Sequence, residues 1–424
     1  MASNDARPHI VIIGGGFAGL YAARWLARRP LRITLVDRKN HHTFQPLLYQ
    51  VAMAALSPAD IASPIRGVLR GYKNVEVLLE EAIGFDLPAR RLKLRKLQLD
   101  YDYLIVAAGA THAYFGHDEW AAHAPGLKTL EDALEIRRRV LLAYELAERQ
   151  AHAGGTIDPL NFVIVGAGPT GVELAGALAE IAHQALVRDF RHIDPKQARI
   201  LLLEGGPRVL PTYPESLSRS AEAQLRRLGV EVRTNTMVTA IGPKVVRIGS
   251  EEIPSAVTLW AAGVSASPLG KMLGVPTDRA GRVIVEPDLS IPGYPEVFVV
   301  GDLAACKDAK GKVVPGVAPA AVQQGMAAAK NIWRDIRKKP REKFVYLDKG
   351  SLATIGRAAG VADLPGLRLS GWIAWLAWLF IHIYFLIGFR NRILVIIQWA
   401  WAYLTFQRGT RLITGRTDIL EDVR

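Results

Sequence analysis

Cysteine is all but missing from this chain: 424 residues carry a single one, Cys306. No disulfide can form within the chain and no CxxC or CxxxxC redox pair exists, so thiol–disulfide exchange is excluded as its chemistry. The lone cysteine is expected to act as a small buried apolar side chain. Acidic residues are the scarcer charge, 40 against 53 lysines and arginines, which leaves a formal net charge of +13. That balance favours an anionic partner. The basic residues are spread along the chain and form no nucleic-acid module, so a membrane surface is expected and nucleic acid is not. No leader is expected either: eight residues precede the first apolar strand, too few for a secretory signal, and a cytoplasmic start is expected. Metal ligands are scarce. His41 and His42 are adjacent on an extended stretch, which points them apart, and no cluster of partners stands near them in sequence, so no metal is expected.

Glycine is present where it matters. The run Ile10–Ile13 reads as a buried strand, followed at once by Gly14-Gly15-Gly16-Phe17-Ala18-Gly19 and then by an apolar helical pattern from Leu20 to Ala27. Strand, G-x-G-x-x-G and helix in that order are the context of a dinucleotide-binding turn. Its glycines allow the tight turn, the approach of a pyrophosphate and close packing of helix on strand. A second strand, Arg32–Val36, ends in Asp37, placed to hold a ribose hydroxyl pair, with Arg38 beside it. Residues 75–99 alternate as half-buried strands. Tyr101–Thr111 reads as a buried strand returning to the first sheet, with close backbone approach at Gly109.

After an amphipathic helix over Leu130–Ala151 the device recurs: Asn161–Val165, then Gly166-Ala-Gly168-Pro169-Thr170-Gly171, then a helical run from Val172. The next strand, Arg199–Leu203, ends in Glu204, with a helical stretch over Ile181–Arg191 making up the extra length. An acid there accepts hydrogen bonds from a ribose 2′-hydroxyl and repels a 2′-phosphate, which favours NADH over NADPH. Arg208 is the nearby residue that could oppose this. Two further apolar strands end in small residues, one at Gly263 and one at Gly301-Asp302, where Asp302 could hold a flavin ribityl hydroxyl or cap a helix. A small-residue helix runs to Ile336, and Arg337–Lys343 reads as a solvated linker.

From Ser370 the composition changes. Trp372–Phe389 is apolar except for His382, and Ile393–Phe406 follows; five of the nine tryptophans lie here (Trp372, Trp375, Trp378, Trp399, Trp401). The first run barely reaches the length of a membrane span and the second falls short. Two helices lying in one leaflet are expected, with Arg390, Arg392, Arg408, Arg411 and Arg416 reaching lipid phosphates. A transmembrane hairpin and a soluble dimer interface are the alternatives.

Taken together, the two glycine motifs, Phe44-Gln-Pro-Leu-Leu-Tyr-Gln50, Val300-Gly-Asp302, Ala318–Gln324 and the tryptophan-rich tail resemble the type II NADH:quinone oxidoreductases, over nearly the whole chain. The resemblance implies an α/β fold of two Rossmann-like domains. An FAD-binding domain would span residues 1–118 and 276–345, an NADH-binding domain would be inserted at 119–275, and a helical membrane-anchoring region would occupy 346–424. FAD would take Gly14, Gly15, Gly16, Phe17, Ala18, Gly19, Asp37, Arg38, Ala82, Gly109, Gly301 and Asp302. NADH would take Gly166, Gly168, Pro169, Thr170, Gly171, Glu204 and Gly263. Glu173 is implied as a proton relay near the nicotinamide and flavin. Pro46, Gln323 and Gln324 would meet a membrane quinone, Gln323 serving catalysis too. The motif's first glutamine is replaced by Pro319. A homodimer on the cytoplasmic side of the inner (plasma) membrane is expected. A sulfide:quinone or disulfide reductase fails for want of a cysteine pair, a soluble ferredoxin reductase leaves the tail unexplained, and an NADH-sensing flavoprotein of the apoptosis-inducing type is the non-enzymatic alternative.

Overall fold

The structure, a computed structural model, describes residues 7–308, 311–387, 389–405 and 410–414, without the side chains of 389–390 and 402–405. In chain order it opens with β1 (His9–Ile13), α1 (Phe17–Leu26), β2 (Arg32–Asp37), α2 (Leu48–Ala52), β3 (Val75–Leu79) and β4 (Tyr103–Val106). Next come α3 (Leu130–His152), β5 (Asn161–Val165), α4 (Pro169–Glu180), β6 (Arg199–Leu203), α5 (Glu215–Arg227), β7 (Val230–Arg233) and β8 (Val257–Trp260). Last are β9 (Tyr294–Val299), α6 (Ala318–Ile336), an antiparallel meander β10 (Ser351–Gly356), β11 (Ala359–Leu364) and β12 (Leu367–Ser370), and the helices α7 (Trp372–Phe385) and α8 (Phe389–Thr405).

Two compact units divide these elements. The first holds residues up to Thr43, Ala62–Thr111 and Val264–Lys349; the second holds Phe44–Ile61, His112–Gly263 and Gly350 onwards. In the first, β9, β4, β1, β2 and β3 lie side by side and parallel, so their carboxyl ends share one edge. Ile10, Ile12, Ile33 and Leu35 are fully buried, as the unbroken apolar runs of a sheet covered on both faces require. In the second, β7-β6-β5-β8 form a parallel sheet. Its helix α3 starts on a capping box, with Thr129 Oγ1 accepting from Asp132 N and the Asp132 carboxylate accepting from Thr129 N.

Several boundaries differ from those expected. The compact units divide the chain elsewhere: β10–β12, α7 and α8 group with the second unit from Gly350 onwards, as does Phe44–Ile61. The reason lies in α4, where a Cβ on Gly176 would overlap the carbonyl of Ile355, so β10 runs directly against the helix. The helical stretch expected over Ile181–Arg191 shrinks to one wide turn at Ile181–Ala185. Beyond it the Glu148 carboxylate on α3 takes the backbone N–H groups of Arg191, His192 and Ile193, which a helix would have used. Arg337–Lys343 is pinned in part, because Arg341 pairs with Asp335 and Asp288 and Asn331 Nδ2 donates to the Glu342 carbonyl. In the tail, helix gives way at Leu386, whose carbonyl accepts from Arg392 Nε at 2.8 Å. Among the described residues no helix is long and apolar enough to cross a membrane. Arg408 and Arg416 lie outside the described residues, as does the side chain of Arg390.

Candidate functional site

At the carboxyl edge of the first sheet the chain leaves β1 through Gly14, whose φ of +97° places it where a side chain would be strained and where a Cβ would overlap the Ala107 carbonyl. A Cβ on Gly19 would overlap the Gly14 carbonyl, so α1 starts in contact with the turn. At Gly16 the same test finds open space. Gly16 is the N-cap of α1, and no side chain caps that helix. The Asp37 carboxylate closes the loop from behind, accepting from Gly15 N at 2.6 Å and Lys39 N at 2.7 Å. Arg38 projects outward to Glu81 at 3.8 Å, Ala82 opens an antiparallel strand, and Gly109 has φ +66° with open space at its Cα and its carbonyl bonded to Ser267 N. From β9 the chain reaches Gly301 (φ +75°) and Asp302, and the Gly301 N–H donates to Gln324 Oε1 at 2.6 Å. Asp302 does not cap α6, whose N-cap is Val317 and which has no side-chain cap.

The second sheet repeats this arrangement. Gly166 has φ +98° and backs onto Ala261–Ala262, a Cβ on Gly171 would overlap the Gly166 carbonyl, and Gly168 faces open space. Pro169 stands at the first helical position, where its missing N–H costs nothing, Thr170 follows half-buried, and α4 too lacks a side-chain cap. Glu204 accepts from Ala167 N at 2.7 Å and from Gly206 N at 2.7 Å. Arg208 does not contest the acid, since its guanidinium is spent on the carbonyls of Tyr213 (2.8 Å) and Pro211 (2.7 Å). Thus α1 and α4 each start directly behind a glycine turn without a side-chain cap, and α6 starts without one beside Gly301-Asp302, so the positive ends of their dipoles favour an anion there. Open space at Gly16 and Gly168, helix starts with no side-chain cap and an acid behind each loop fit a dinucleotide in each unit.

The second unit also holds a cleft of about 870 Å³, open mouth included, between α4, β10, α2 and the tail helices. Trp375, Trp378 and Trp399 wall it, and Glu173 and Glu180 line it. Glu173 keeps some accessible surface there, yet protein crowds its carboxyl. Desolvation raises its pKa well above the usual range, against the opposing effect of a hydrogen bond from the Thr354 backbone. Gln50 is nearly buried; its Nε2 donates to Tyr49 Oη at 2.9 Å and its Oε1 accepts from Trp399 Nε1 at 2.7 Å. The Trp378 Nε1, by contrast, is buried without an acceptor, an orphaned donor in an aromatic wall. His382 stacks on Trp378 at 4.3 Å and donates from Nδ1 to the Trp378 carbonyl. Burial lowers its pKa to about 4, so it stays neutral in an apolar helix.

A family model for pyridine nucleotide-disulphide oxidoreductases matches residues 8–325, and one for the NDH2 C-terminal domain matches residues 349–408. A type II NADH:quinone oxidoreductase of Mycobacterium tuberculosis is 46% identical, over 98% of this chain and 92% of that protein. The chain belongs to the type II NADH:quinone oxidoreductases. A demethylphylloquinone reductase of Synechocystis is 29% identical over 93% of the chain and 96% of its own length. The fold is that of NDH2 from Plasmodium falciparum, solved in complex with NADH: TM-score 0.84 at 20% identity, covering 96% of this chain and all of that one. As a type II enzyme this chain departs from the broader family's disulphide chemistry, because Cys306 is alone and buried, and burial pushes its thiol up to about 11.

The glycine turns and the acids Asp37 and Glu204 named from the sequence lie together at the ends of β1 and β2 and of β5 and β6. Pro46 belongs to the second unit and Gln323 and Gln324 to the first. Gln323 is engaged on both sides of its amide, Nε2 to Leu347 O at 3.0 Å and Oε1 from Leu347 N at 2.9 Å, so a quinone contact would have to exchange these bonds. Several residues important to this type II enzyme escaped the sequence. Arg137, 3% exposed, donates to Val51 O (2.8 and 2.6 Å) and Leu56 O (2.9 Å) and so fixes the turn carrying Tyr49 and Gln50. His42 donates from Nδ1 to Gly15 O at 3.0 Å, bracing the first glycine turn, and its ring lies edge-on to Phe17. Gly325 lets α6 touch α1, for a Cβ there would overlap the Ala18 carbonyl. An isolated glycine inside a helical pattern was the available signal for Gly176 and Gly325; Arg137 offered none.

Proposed function

We propose the following division of labour for this type II NADH:quinone oxidoreductase, which oxidises NADH and reduces a quinone through FAD. The first cradle holds FAD through Gly14–Gly19, Asp37, Arg38, Ala82, Gly109 and Gly301-Asp302. The second holds NADH through Gly166, Gly168–Gly171, Glu204 and Gly263. FAD, when bound, supplies the two-electron chemistry between the two substrates. The chain's own part is to bind, orient and exclude water. Glu173 carries the proton: desolvation raises its pKa and so favours the protonated carboxyl, which donates from its own oxygen and is recharged from solvent through the cleft mouth. The tryptophan wall gives a planar apolar headgroup a dry surface, and Gln324 holds the Gly301-Asp302 turn at the edge of the FAD cradle. Pro46 and Gln323 are proposed to meet the quinone, Gln323 by giving up its pairing with Leu347.

The observation that carries this reading is the recurrence of an uncapped helix behind a glycine turn and a backbone-held acid, once in each unit. The exposed faces of α7 and α8, with Trp372, Phe380, Tyr384, Ile397 and Trp401 each more than half exposed, support docking on a bilayer surface. We place that surface on the cytoplasmic side of the inner (plasma) membrane, where the NADH pool is, and the working form as a homodimer, which the mass of the detergent-solubilised protein tests. The domain limits proposed are those of the two units, with the tail serving the NADH-binding one. Anaerobic spectra test the whole: the yellow band of the purified protein bleaches on NADH and returns on a soluble quinone. Bleaching without return would leave the NADH-sensing alternative.

A further inference from the structure

Tyr114-Phe115-Gly116-His117 is a tight turn, with His117 N donating to Tyr114 O at 3.0 Å and positive φ at both central residues, +54° at Phe115 and +93° at Gly116. That is a type I′ geometry, whose first central position favours Asn, Asp or Gly. A phenylalanine there is strained, and packing repays little of it: the residue is 69% exposed and its ring meets that of Trp260 only at a tilt, centroids 6.2 Å apart. Its neighbours hold the turn rigidly. Tyr114 is buried, stacks on Trp260 at 5.2 Å and donates to Ala124 O at 2.8 Å, while Trp260 Nε1 donates to Ala113 O at 2.9 Å. The tip of the Phe115 ring lies over Gly263: a Cβ built there would lie 2.5 Å from Phe115 Cζ.

Gly263 closes the segment Ala261–Gly263 that follows β8, the same segment on which Gly166 rests. The strand order β7-β6-β5-β8 puts Glu204, at the end of β6, on one side of the Gly166 turn and Phe115 on the other. A dinucleotide whose pyrophosphate sits on that turn and whose adenosine ribose reaches Glu204 must send its other arm across the end of β8. We infer that Phe115 is the ring against which the nicotinamide riboside arm of NADH packs, a positioning residue that fixes the reducing half of the donor. This rests on the NADH reading of the second cradle.

Phe115→Asn removes the ring and supplies the residue the turn prefers, so the test separates function from packing. Steady-state rates are measured with NADH and with reduced nicotinamide mononucleotide, which lacks the adenosine half. The variant is expected to melt at a higher temperature than wild type while KM rises about tenfold for both donors at nearly unchanged kcat, the pattern of lost uniform binding by an aromatic contact. Phe115→Tyr should restore KM. An unchanged KM, a rise confined to NADH, or a lower melting temperature in Phe115→Asn would each overturn the assignment. Glu204→Ala serves as the control: it should raise KM for NADH and not for the mononucleotide, and if it changes neither, the NADH reading itself is what has failed.

Discussion

Replacing Glu173 by Gln tests the proton role with one atom. Gln keeps the shape and can still accept from the Thr354 N–H, but it has no proton to give. In the wild type the folded-state pKa is raised by desolvation, so between the unfolded value, about 4.3 for a glutamate, and the folded one the native state binds the proton that the unfolded chain has lost. Stability therefore falls as pH rises through that window, by about 1.4 kcal/mol per pH unit, and the loss stops once pH passes the folded pKa. The Gln variant has no such slope. The gap between the two proteins should widen by roughly 3–5 °C in Tm for each pH unit within the window, at about 2–4 °C per kcal/mol for a unit of this size.

Stopped-flow absorbance supplies the functional half. Flavin reduction by NADH needs no proton from the cleft and should stay within about twofold. Reoxidation by a soluble quinone should slow by about 10²-fold, the scale of a lost general acid. Parallel Tm–pH curves for the two proteins would refute the stability reasoning. Equal slowing of both half-reactions would refute the assignment of Glu173 to the quinone step.

Other consequences of the geometry are as direct. Trp399→Phe deletes the donor to Gln50 Oε1 and leaves a buried amide oxygen short of a partner; a loss of about 1–3 kcal/mol in urea unfolding and a raised quinone KM are expected. Gly325→Ala forces a methyl into the Ala18 carbonyl, so α1 must shift from α6; loss of about 1–3 kcal/mol and of bound flavin on gel filtration are expected. Changing Trp372, Phe380, Tyr384 and Trp401 together to Ser should abolish sedimentation with anionic vesicles while flavin reduction by NADH persists. This is a cleaner test than deleting the tail, because Trp378 and Leu386 in it are buried and Trp375, Trp378 and Trp399 wall the cleft.

What could be read from residue order alone was what local rules govern. The β1–Gly14–α1 and β5–Gly166–α4 units announce themselves because an apolar run, a turn that only glycine can make and a helix pattern are contiguous, and Asp37 and Glu204 follow at the ends of the neighbouring strands. The helix expected beyond Ile181 stops short, and a contact no window of sequence holds fixes its far end: the N–H of Arg191 and those of the two residues after it go to Glu148 on a helix some forty residues earlier. Arg137 escaped in the same way. On its helix it reads as one of three consecutive arginines, yet Arg138 and Arg139 pair with Glu135 at the surface while Arg137 turns inward to the carbonyls of Val51 and Leu56.

Phe115 marks the same limit from the other side. The residues Tyr-Phe-Gly give no turn signal of the Asn-Gly kind, so local preference and observed geometry disagree there. Where natural chains tolerate such a disagreement, the strain is held by neighbours that over-determine it, as Tyr114 and Trp260 do here, and it clusters at working sites. An expected gain in stability from Phe115→Asn is thus itself a functional prediction, because a strained, exposed ring kept against the turn's own preference points to a use for the ring. If that substitution left both melting temperature and donor KM where they are, strain at this turn would carry no functional meaning, and the inference from misfit to function would fail at the place where this fold displays it most openly.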